Sequence, residues 1–222
     1  MKRAPSGIDQ SAAQPGAAAH ATSAAGVTWD LATLYAGPDD PRLEADLAEA
    51  RRAADDFGGR YRGRVASLAP AELASAIAEY ESIEERGRRP SFYASLLFAA
   101  DTQDDAAKRL ADQTREAWVE VVNALTFFEL ELKDLPDERY AALVASQVLA
   151  DCRHWIDGLR KLRPHTLSEP EERVINQKNL TGRDALARLF DELSASLRFR
   201  LTVDGSEREL AANELLALLY RP

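Results

Sequence analysis

Histidine is the first residue type to examine, because its imidazole can bind a metal ion and transfer protons near neutral pH. The chain of 222 residues contains three: His20, His154 and His165. Hydrolases of the H-E-x-x-H type place two histidines four residues apart on one helix face, with the glutamate as general base. No histidine here lies four residues from another, and none is followed by glutamate. The motif is absent, so we predict a packed or half-buried His154, a capping or surface His165, a solvated His20, and no metal bound by any of them.

The single cysteine, Cys152, is a weak candidate for a thiol nucleophile. Such a mechanism needs a histidine within hydrogen-bond distance of the sulfur. His154 is two residues away, and on a helix this spacing places two side chains on nearly opposite sides. One cysteine also excludes an internal disulfide bond and is typical of a reducing compartment. We therefore predict a structural role for Cys152 and a cytoplasmic location.

The acidic residues do not form an acid–base pair that the sequence can identify. Glu129 and Glu131 lie at i and i+2, so they face different directions on a helix. Helix starts and solvated surfaces explain the other acidic clusters, which are Asp55-Asp56, Asp104-Asp105 and Glu169, Glu171 and Glu172. The glycines near position 60 lack the Lys-Ser/Thr of a phosphate-binding loop. The sequence thus assigns no catalytic or metal-binding residue, and it leaves the substrate-binding residues unknown.

The composition narrows the classes of partner. With 28 Lys and Arg against 37 Asp and Glu, the formal net charge is −9, which argues against nucleic acid as the main partner. No apolar run approaches the roughly 20 residues of a membrane span. The start Met1-Lys2-Arg3 is not followed by a continuous apolar segment, so we predict neither a secretory signal nor a membrane partner.

The first two thirds of the sequence predict a tail followed by helices. Residues 1–26 are rich in Ala, Ser and Gly and lack Leu, Phe and Tyr, which predicts a disordered tail before an ordered region starting near Trp29. Apolar spacing predicts a helix through Leu43 and Phe57 that Gly58-Gly59 ends, and a helix from Pro70 that is broken between Gly87 and Pro90. Further helices are predicted over 92–98, 104–132, 137–144 and 151–162.

The last third combines a capped helix, an amphipathic helix and a hairpin. Ser168 and Glu171 have the spacing of a capping box, and Pro170 suits a first helical turn. Leu186, Leu189, Phe190, Leu193 and Leu197 share one helix face. From Phe199 the apolar period becomes two, and Asp204-Gly205 is a hairpin turn signal. We predict a mainly α fold, an irregular multi-helix lobe with one β-hairpin near residues 198–210.

Several short sequence segments resemble those of a known family of enzymes. They are Ser91 to Leu97, His154-Trp155, Leu159 to His165, Leu167 to Glu172, Leu180 to Arg183 and Leu189 to Leu193. In this order they are similar to the N-terminal lobe of oligoendopeptidase F, one of the thimet-oligopeptidase-like zinc metallopeptidases. The resemblance runs from about Trp29 to Pro222 and implies a helical lobe over 27–222 that forms one wall of a peptide-binding channel.

The resemblance also implies a zinc endopeptidase of short peptides in the complete enzyme. The zinc ligands and the glutamate base would belong to a C-terminal catalytic portion that this chain lacks, so we expect no cofactor in the chain itself and no hydrolysis by it alone. One alternative is a stand-alone helical peptide-binding or scaffold module, or the partner of a separately encoded catalytic half. Another is an unrelated helical-repeat interaction protein, which a fold of stacked helix pairs without a hairpin would favour.

The C-terminal leucines suggest how the isolated chain would behave. Leu215, Leu216, Leu218 and Leu219 lie within five residues near the end of the sequence. An apolar surface without a covering partner favours association. We therefore predict that the isolated chain self-associates or is poorly soluble.

Overall fold

The computed structural model describes residues 30–203 and 205–220. The predicted tail over 1–26 and Trp29 lie outside these residues. The described helices are α1 (Arg42–Tyr61), α2 (Pro70–Ala100), α3 (Asp105–Lys133), α4 (Asp137–Val144), α5 (Arg153–Leu162), α6 (Glu169–Thr181), α7 (Arg183–Ser196) and α8 (Ala212–Ala217), and the strands are β1 (Arg198–Val203) and β2 (Ser206–Ala211). The prediction of a mainly α fold with one β-hairpin is confirmed. No helix in the described ranges is long and apolar enough to cross a bilayer.

Helices α1 to α5 share one apolar core, and we call residues 31–162 the body. At its centre Phe57 of α1 meets Phe128 of α3 edge to face, with ring centroids 5.0 Å apart. Tyr80 of α2 lies 5.3 Å from the Phe128 ring, and Trp155 of α5 lies 5.9 Å from Tyr80. Tilted and edge-to-face pairs at these distances add to the stabilisation from area burial. The aromatic cluster therefore joins four helices, α1, α2, α3 and α5.

Helix α2 runs unbroken, so the predicted break between Gly87 and Pro90 is wrong. Gly87 is required by close packing, because a Cβ there would lie 2.6 Å from Cζ3 of Trp118 on α3. Pro90 removes one intrahelical hydrogen bond, at a cost of about 3 kcal/mol or more in a helix interior. Buried residues on both sides of it, among them Ile83 and Tyr93, hold the helix together. Tertiary packing thus overrides the tendency of Gly87 and Pro90 to break a helix.

Helix α1 passes through Gly58 and Gly59 and ends at Tyr61, slightly beyond the predicted stop. The chain then reverses at Gly63, whose φ of 74° lies in the left-handed region that glycine adopts at low cost. The backbone N–H groups of Gly63 and Val65 both donate to the Glu131 carboxylate, at 2.7 and 3.2 Å. Glu131 of α3 therefore fixes the connection between α1 and α2.

Residues 169–220 form what we call the C-terminal arm. Its first helix starts as predicted, since the Ser168 N–H donates to the Glu171 carboxylate at 2.9 Å and Pro170 lies in the first turn. In the hairpin Phe199 pairs with Leu210, and Gly205 has a φ of 78°. Among the described residues of the arm, Leu210 alone is a fully buried apolar side chain. The arm thus lacks an apolar core comparable to that of the body.

Candidate functional site

A long groove follows α3. Over most of its length α2 lies on one side and α6 and α7 on the other, whereas its first cavity is bounded by α3 and residues 163–169. It consists of four adjoining cavities of about 540, 200, 340 and 570 Å³. Consecutive cavities share lining residues, which are Leu130 and Lys133, then Arg88, Val122 and Asn176, then Ser95, Arg115 and Asp184. Between positions 115 and 134 the helix rises ~28 Å at 1.5 Å per residue. An extended peptide of about eight residues spans that distance, and we call this surface the α3 groove.

The groove has an apolar floor and polar walls. Its floor in the third cavity is formed by Trp118, Val119 and Val122, which recur at helical spacing on one face of α3. Hydroxyl and amide side chains line both walls of the same cavity: Ser91 and Ser95 on α2, and Asn176 and Asn179 on α6. Ligand sites combine apolar surface with a few polar groups that fix orientation. The α3 groove has this composition for an extended, hydrogen-bonding ligand.

The second cavity is lined by acidic groups around a buried tyrosine. The Tyr80 hydroxyl lies 3.0 Å from the Glu129 carboxylate and 3.3 Å from that of Glu84. Lys133 pairs with Glu129 at 3.2 Å. Burial, followed by the charge of Glu129, raises the pKa of Tyr80, and burial likewise raises the pKa of Glu84 above 4.5. A hydroxyl has one proton to donate, so Tyr80 can donate to only one of the two carboxylates at a time.

The third cavity is rich in guanidinium groups. Arg88, Arg115 and Arg183 line it together with a single carboxylate, that of Asp184. Arg88 donates to Glu84 at 3.3 Å, Arg183 donates to Asp184 at 3.0 Å, and Arg115 is 3.9 Å from Asp112. A guanidinium has five N–H donors, so each arginine keeps donors for a further acceptor. This part of the groove can bind a carboxylate, such as a peptide C-terminus or an acidic side chain.

One amide pair ties α6 to α3. The Asn176 side-chain N–H donates to Oδ1 of Asn123 at 3.1 Å. Asn123 is only 2% exposed, and its own Nδ2 has no hydrogen-bond partner among the described residues. A buried polar group without partners is costly, so this contact is worth more than a surface hydrogen bond. The pair therefore sets the distance between α6 and α3.

The sequence prediction for Glu129 and Glu131 is confirmed, since the two carboxylates contact different elements. Glu129 contacts Tyr80 in the second cavity, whereas Glu131 borders the first cavity and accepts from the α1–α2 connection. The groove itself was not predicted. Its arginines and asparagines are ordinary polar residues in the sequence, and only the packing of α6 and α7 beside α3 brings them together.

Comparisons with known proteins relate the C-terminal part of this chain to oligopeptidases. Residues 131–199 match the family model described as Oligopeptidase F. Oligopeptidase PepF of Bacillus subtilis is 23% identical over 149 residues, which are 67% of this chain and 22% of that protein. The crystal structure of oligoendopeptidase-F from Enterococcus faecium matches 80% of this chain and 34% of its own, with a TM-score of 0.62 at 19% identity. This chain resembles the N-terminal portion of oligoendopeptidase F. The resemblance predicted from the sequence is thereby confirmed.

The likeness covers the fold of this chain and only part of its relatives. The chain spans about a fifth of the length of Oligopeptidase PepF and about a third of the E. faecium oligoendopeptidase-F. The family match begins at Glu131 and ends at Phe199, so it includes α6 and α7, which form one wall of the α3 groove. The hairpin and the unequal helices disfavour the alternative of a regular helical repeat.

The residues present do not fit the zinc that the oligoendopeptidase F resemblance implies for a complete enzyme. Within the described ranges no group of three or more His, Cys, Asp or Glu side chains could hold a metal ion. His165 is exposed, as predicted. His154 is exposed too, so the prediction of a packed histidine is wrong: α5 directs Ile156 and Leu159 into the core and leaves His154 in solvent. No chemical step is therefore assigned to a metal in this chain.

Cys152 packs against the core of the body, directly before α5. Burial raises the pKa of its thiol above 9.0, which lowers the thiolate fraction at neutral pH. A nucleophilic cysteine needs the opposite shift. The environment of Cys152 is that of a packed side chain.

Proposed function

We propose that this chain is the channel-wall lobe of an oligoendopeptidase F-like zinc metalloendopeptidase and that its α3 groove binds short peptides. In this proposal residues 27–222 are the lobe, residues 1–26 are the disordered tail that the composition predicts, and the protein acts in the cytoplasm. The observation that carries the proposal is the α3 groove, whose length, apolar floor and paired polar walls suit an extended peptide. The likeness to oligoendopeptidase F supplies the substrate class.

The charges along the groove indicate how a peptide would be oriented. The second cavity carries Glu84, Glu129 and Glu172 against Lys133 and Arg88, which favours an ammonium group. The next cavity carries three arginines against Asp184, which favours a carboxylate. A peptide would therefore place its amino end toward Glu129 and a carboxylate near Arg115. Electrostatic complementarity of this kind determines orientation more than total affinity.

Hydrolysis requires parts that this chain does not supply. The H-E-x-x-H motif is absent from the sequence. A zinc-bound water needs ligands fixed around the ion to act as a nucleophile near neutral pH. The proposal therefore assigns peptide binding to this chain and catalysis to a C-terminal portion. It predicts no cleavage of an internally quenched peptide by the 222-residue chain, with or without added Zn²⁺.

Peptide binding is tested by fluorescence anisotropy with a library of fluorescein-labelled peptides of about eight residues that have free carboxyl termini. The substitutions Arg88→Gln and Arg115→Gln each remove a charged donor from the groove. We expect about tenfold weaker binding for each, since a hydrogen bond to a charged group contributes about 1.5 kcal/mol. Capping the peptide carboxylate as an amide should reduce binding to the native chain by a similar factor.

Arg86→Gln is the matched control, because Arg86 lies on the same helix and pairs with Glu49 outside the groove. It should bind the peptides like the native chain. Equal binding by Arg88→Gln, Arg115→Gln and Arg86→Gln would remove the α3 groove as the peptide site. Cleavage of the quenched peptide by the purified chain would contradict the assignment of catalysis to another portion.

A second candidate is a stand-alone peptide-binding or scaffold module, or the partner of a separately encoded catalytic half. The absence of H-E-x-x-H favours it, because a binding role needs no metal. Both proposals assign peptide binding to the α3 groove. They differ in whether the native protein contains a catalytic portion. Peptides that continue past Pro222 in the native product, detected by mass spectrometry, would favour the peptidase; a native mass of 24.4 kDa would favour the binding module.

A further inference from the structure

Helix α7 is amphipathic, but its apolar face points away from the body. Leu186, Leu189, Phe190, Leu193 and Leu197 are each between 49% and 70% exposed, and we call these five residues the α7 stripe. The first four are related by spacings of three and four residues, which places them on one side of the helix, and Leu197 directly follows the last helical residue, Ser196. An amphipathic helix normally buries such a face. The orientation of α7 is thus the reverse of the usual one.

The opposite face of α7 is held against α3 by charged pairs. Arg188 pairs with Asp112, and Lys108 of α3 pairs with Glu192 at 2.6 Å. The side chains of Arg188 and Glu192 are about one quarter exposed, much less than those of the stripe. Two ion pairs with α3 fix the rotation of α7 about its axis. The stripe is therefore exposed because of specific contacts on the other face.

Small side chains border the stripe. Ala187 and Ser194 follow it on one side of the helix, and Ala185 and Ser196 on the other. Interface cores are depleted of charged residues, and none of these four bordering residues is charged. Two further exposed leucines, Leu216 and Leu219, lie in the last described segment of the arm. The arm therefore presents apolar surface at more than one place.

We propose that the α7 stripe docks the C-terminal portion of an oligoendopeptidase F-like polypeptide, through an apolar face of that portion. This rests on the proposed function, because that function requires a catalytic portion to meet this lobe. The chain matches only 34% of the E. faecium structure, so a polypeptide of that length contains a further portion large enough to cover the stripe. The stripe lies within the residues 131–199 that match the family.

The size of the stripe argues against a second copy of this chain as its partner. Helix α7 has 14 residues. At 1.5 Å per residue and a diameter of about 10 Å it offers a strip of only ~200 Å². A stable dimer usually buries about 800 Å² per partner. A larger polypeptide that covers the stripe together with other parts of the arm meets this requirement more readily.

The test replaces the matched third of E. faecium oligoendopeptidase-F with this chain and compares unfolding midpoints of the chimera and the isolated chain. In the chimera, Phe190→Arg should lower the Tm by about 5–10 °C, because it places a charge in a buried apolar contact. In the isolated chain the same substitution should change the Tm by less than about 2 °C, since Phe190 is exposed there. Val148→Arg is the matched control, because Val148 is a similarly exposed apolar residue of the body and should have little effect in either protein.

Three results would overturn the proposal. The first is a chimera that is insensitive to Phe190→Arg, and the second is a native chimera that does not fold cooperatively. The third is a discrete dimer of the isolated chain in sedimentation equilibrium. If Phe190→Arg dissociates this dimer and leaves the chimera unaffected, the stripe binds a second copy of the chain. None of these results involves the α3 groove, so loss of peptide binding and loss of docking can be told apart.

Discussion

The body and the C-terminal arm use apolar residues in opposite ways. In the described chain, all fully buried apolar residues except Leu210 lie at or before Leu159. Most of the exposed large apolar residues lie in the arm, including the whole α7 stripe. The arm is attached to the body by polar contacts: Asn176 with Asn123, Arg62 with Glu169 at 2.6 Å, and Lys108 with Glu192.

The body supplies the buried apolar surface that stabilises the fold, whereas the arm supplies exposed apolar surface that a partner can cover. Burying apolar area is the dominant favourable term in folding, so the body carries most of the stability. Exposed ion pairs contribute little, typically 0–1 kcal/mol. The arm is therefore the region whose structure depends most on additional contacts. The groove lies between these two regions, where polar side chains of both remain available.

The largest predicted contrast compares one aromatic residue from each region. Phe128→Ala should lower the free energy of unfolding by about 3–5 kcal/mol, because Phe128 is fully buried against Phe57 and Tyr80. Phe190→Ala in the isolated chain should change it by about 0.5 kcal/mol or less, since Phe190 is 70% exposed. Urea denaturation monitored by circular dichroism measures both. A similar loss for the two variants would mean that the arm has a core of its own.

The next contrast tests the close packing of the body with two glycines. Gly87→Ala should destabilise the chain by about 1–3 kcal/mol, because the new methyl group would meet the Trp118 ring. Gly59→Ala should stabilise it by about 0.5–1 kcal/mol, since a Cβ at this helical position meets nothing within 4 Å. Thermal unfolding compares the two variants. A neutral Gly87→Ala would show that α2 and α3 are more loosely packed than described.

The polar attachment of the arm is tested at Asn176. Asn176→Ala removes the donor to Asn123 and leaves a buried amide without a partner, which should cost about 1–3 kcal/mol. Hydrogen exchange of the α6 amides should become faster at the same time. Asn179→Ala, on the same helix and wall of the groove, is the control and should have little effect on either measurement. Equal exchange rates in the two variants would mean that the amide pair does not hold α6.

The smallest expected effect is a pH dependence from Glu84. Its pKa in the folded chain is raised by burial, so the folded state binds a proton more tightly than the unfolded state. Its contribution to stability is therefore fully present below the usual value of 4.5 and is lost as the pH rises through the folded pKa. Relative to Glu84→Gln, the native chain should gain stability as the pH is lowered toward 4.5. A difference that is constant with pH, or that has the opposite sign, would contradict the raised pKa.

Local patterns predicted most elements of this chain but not their relations. The helix over 137–144, the capped start at Ser168 and the positive φ of Gly205 in the hairpin appear as the sequence indicates. The predicted break in α2 was wrong because Gly87 serves the packing of Trp118, a residue 31 positions away. The candidate groove could not be predicted, because Arg88, Arg115 and Asn176 come together only when three helices align.

The sequence by itself determined the family likeness, the mainly α fold and the absence of the H-E-x-x-H motif, because each depends on residues close together along the chain. It also determined that α7 is amphipathic. Only the tertiary structure decided which face of α7 is covered. Arg188 and Glu192 pair with charges on α3, and this arrangement leaves the α7 stripe in solvent. Helical periodicity specifies that a helix has an apolar face, whereas contacts distant in sequence determine whether the chain itself or a partner covers it.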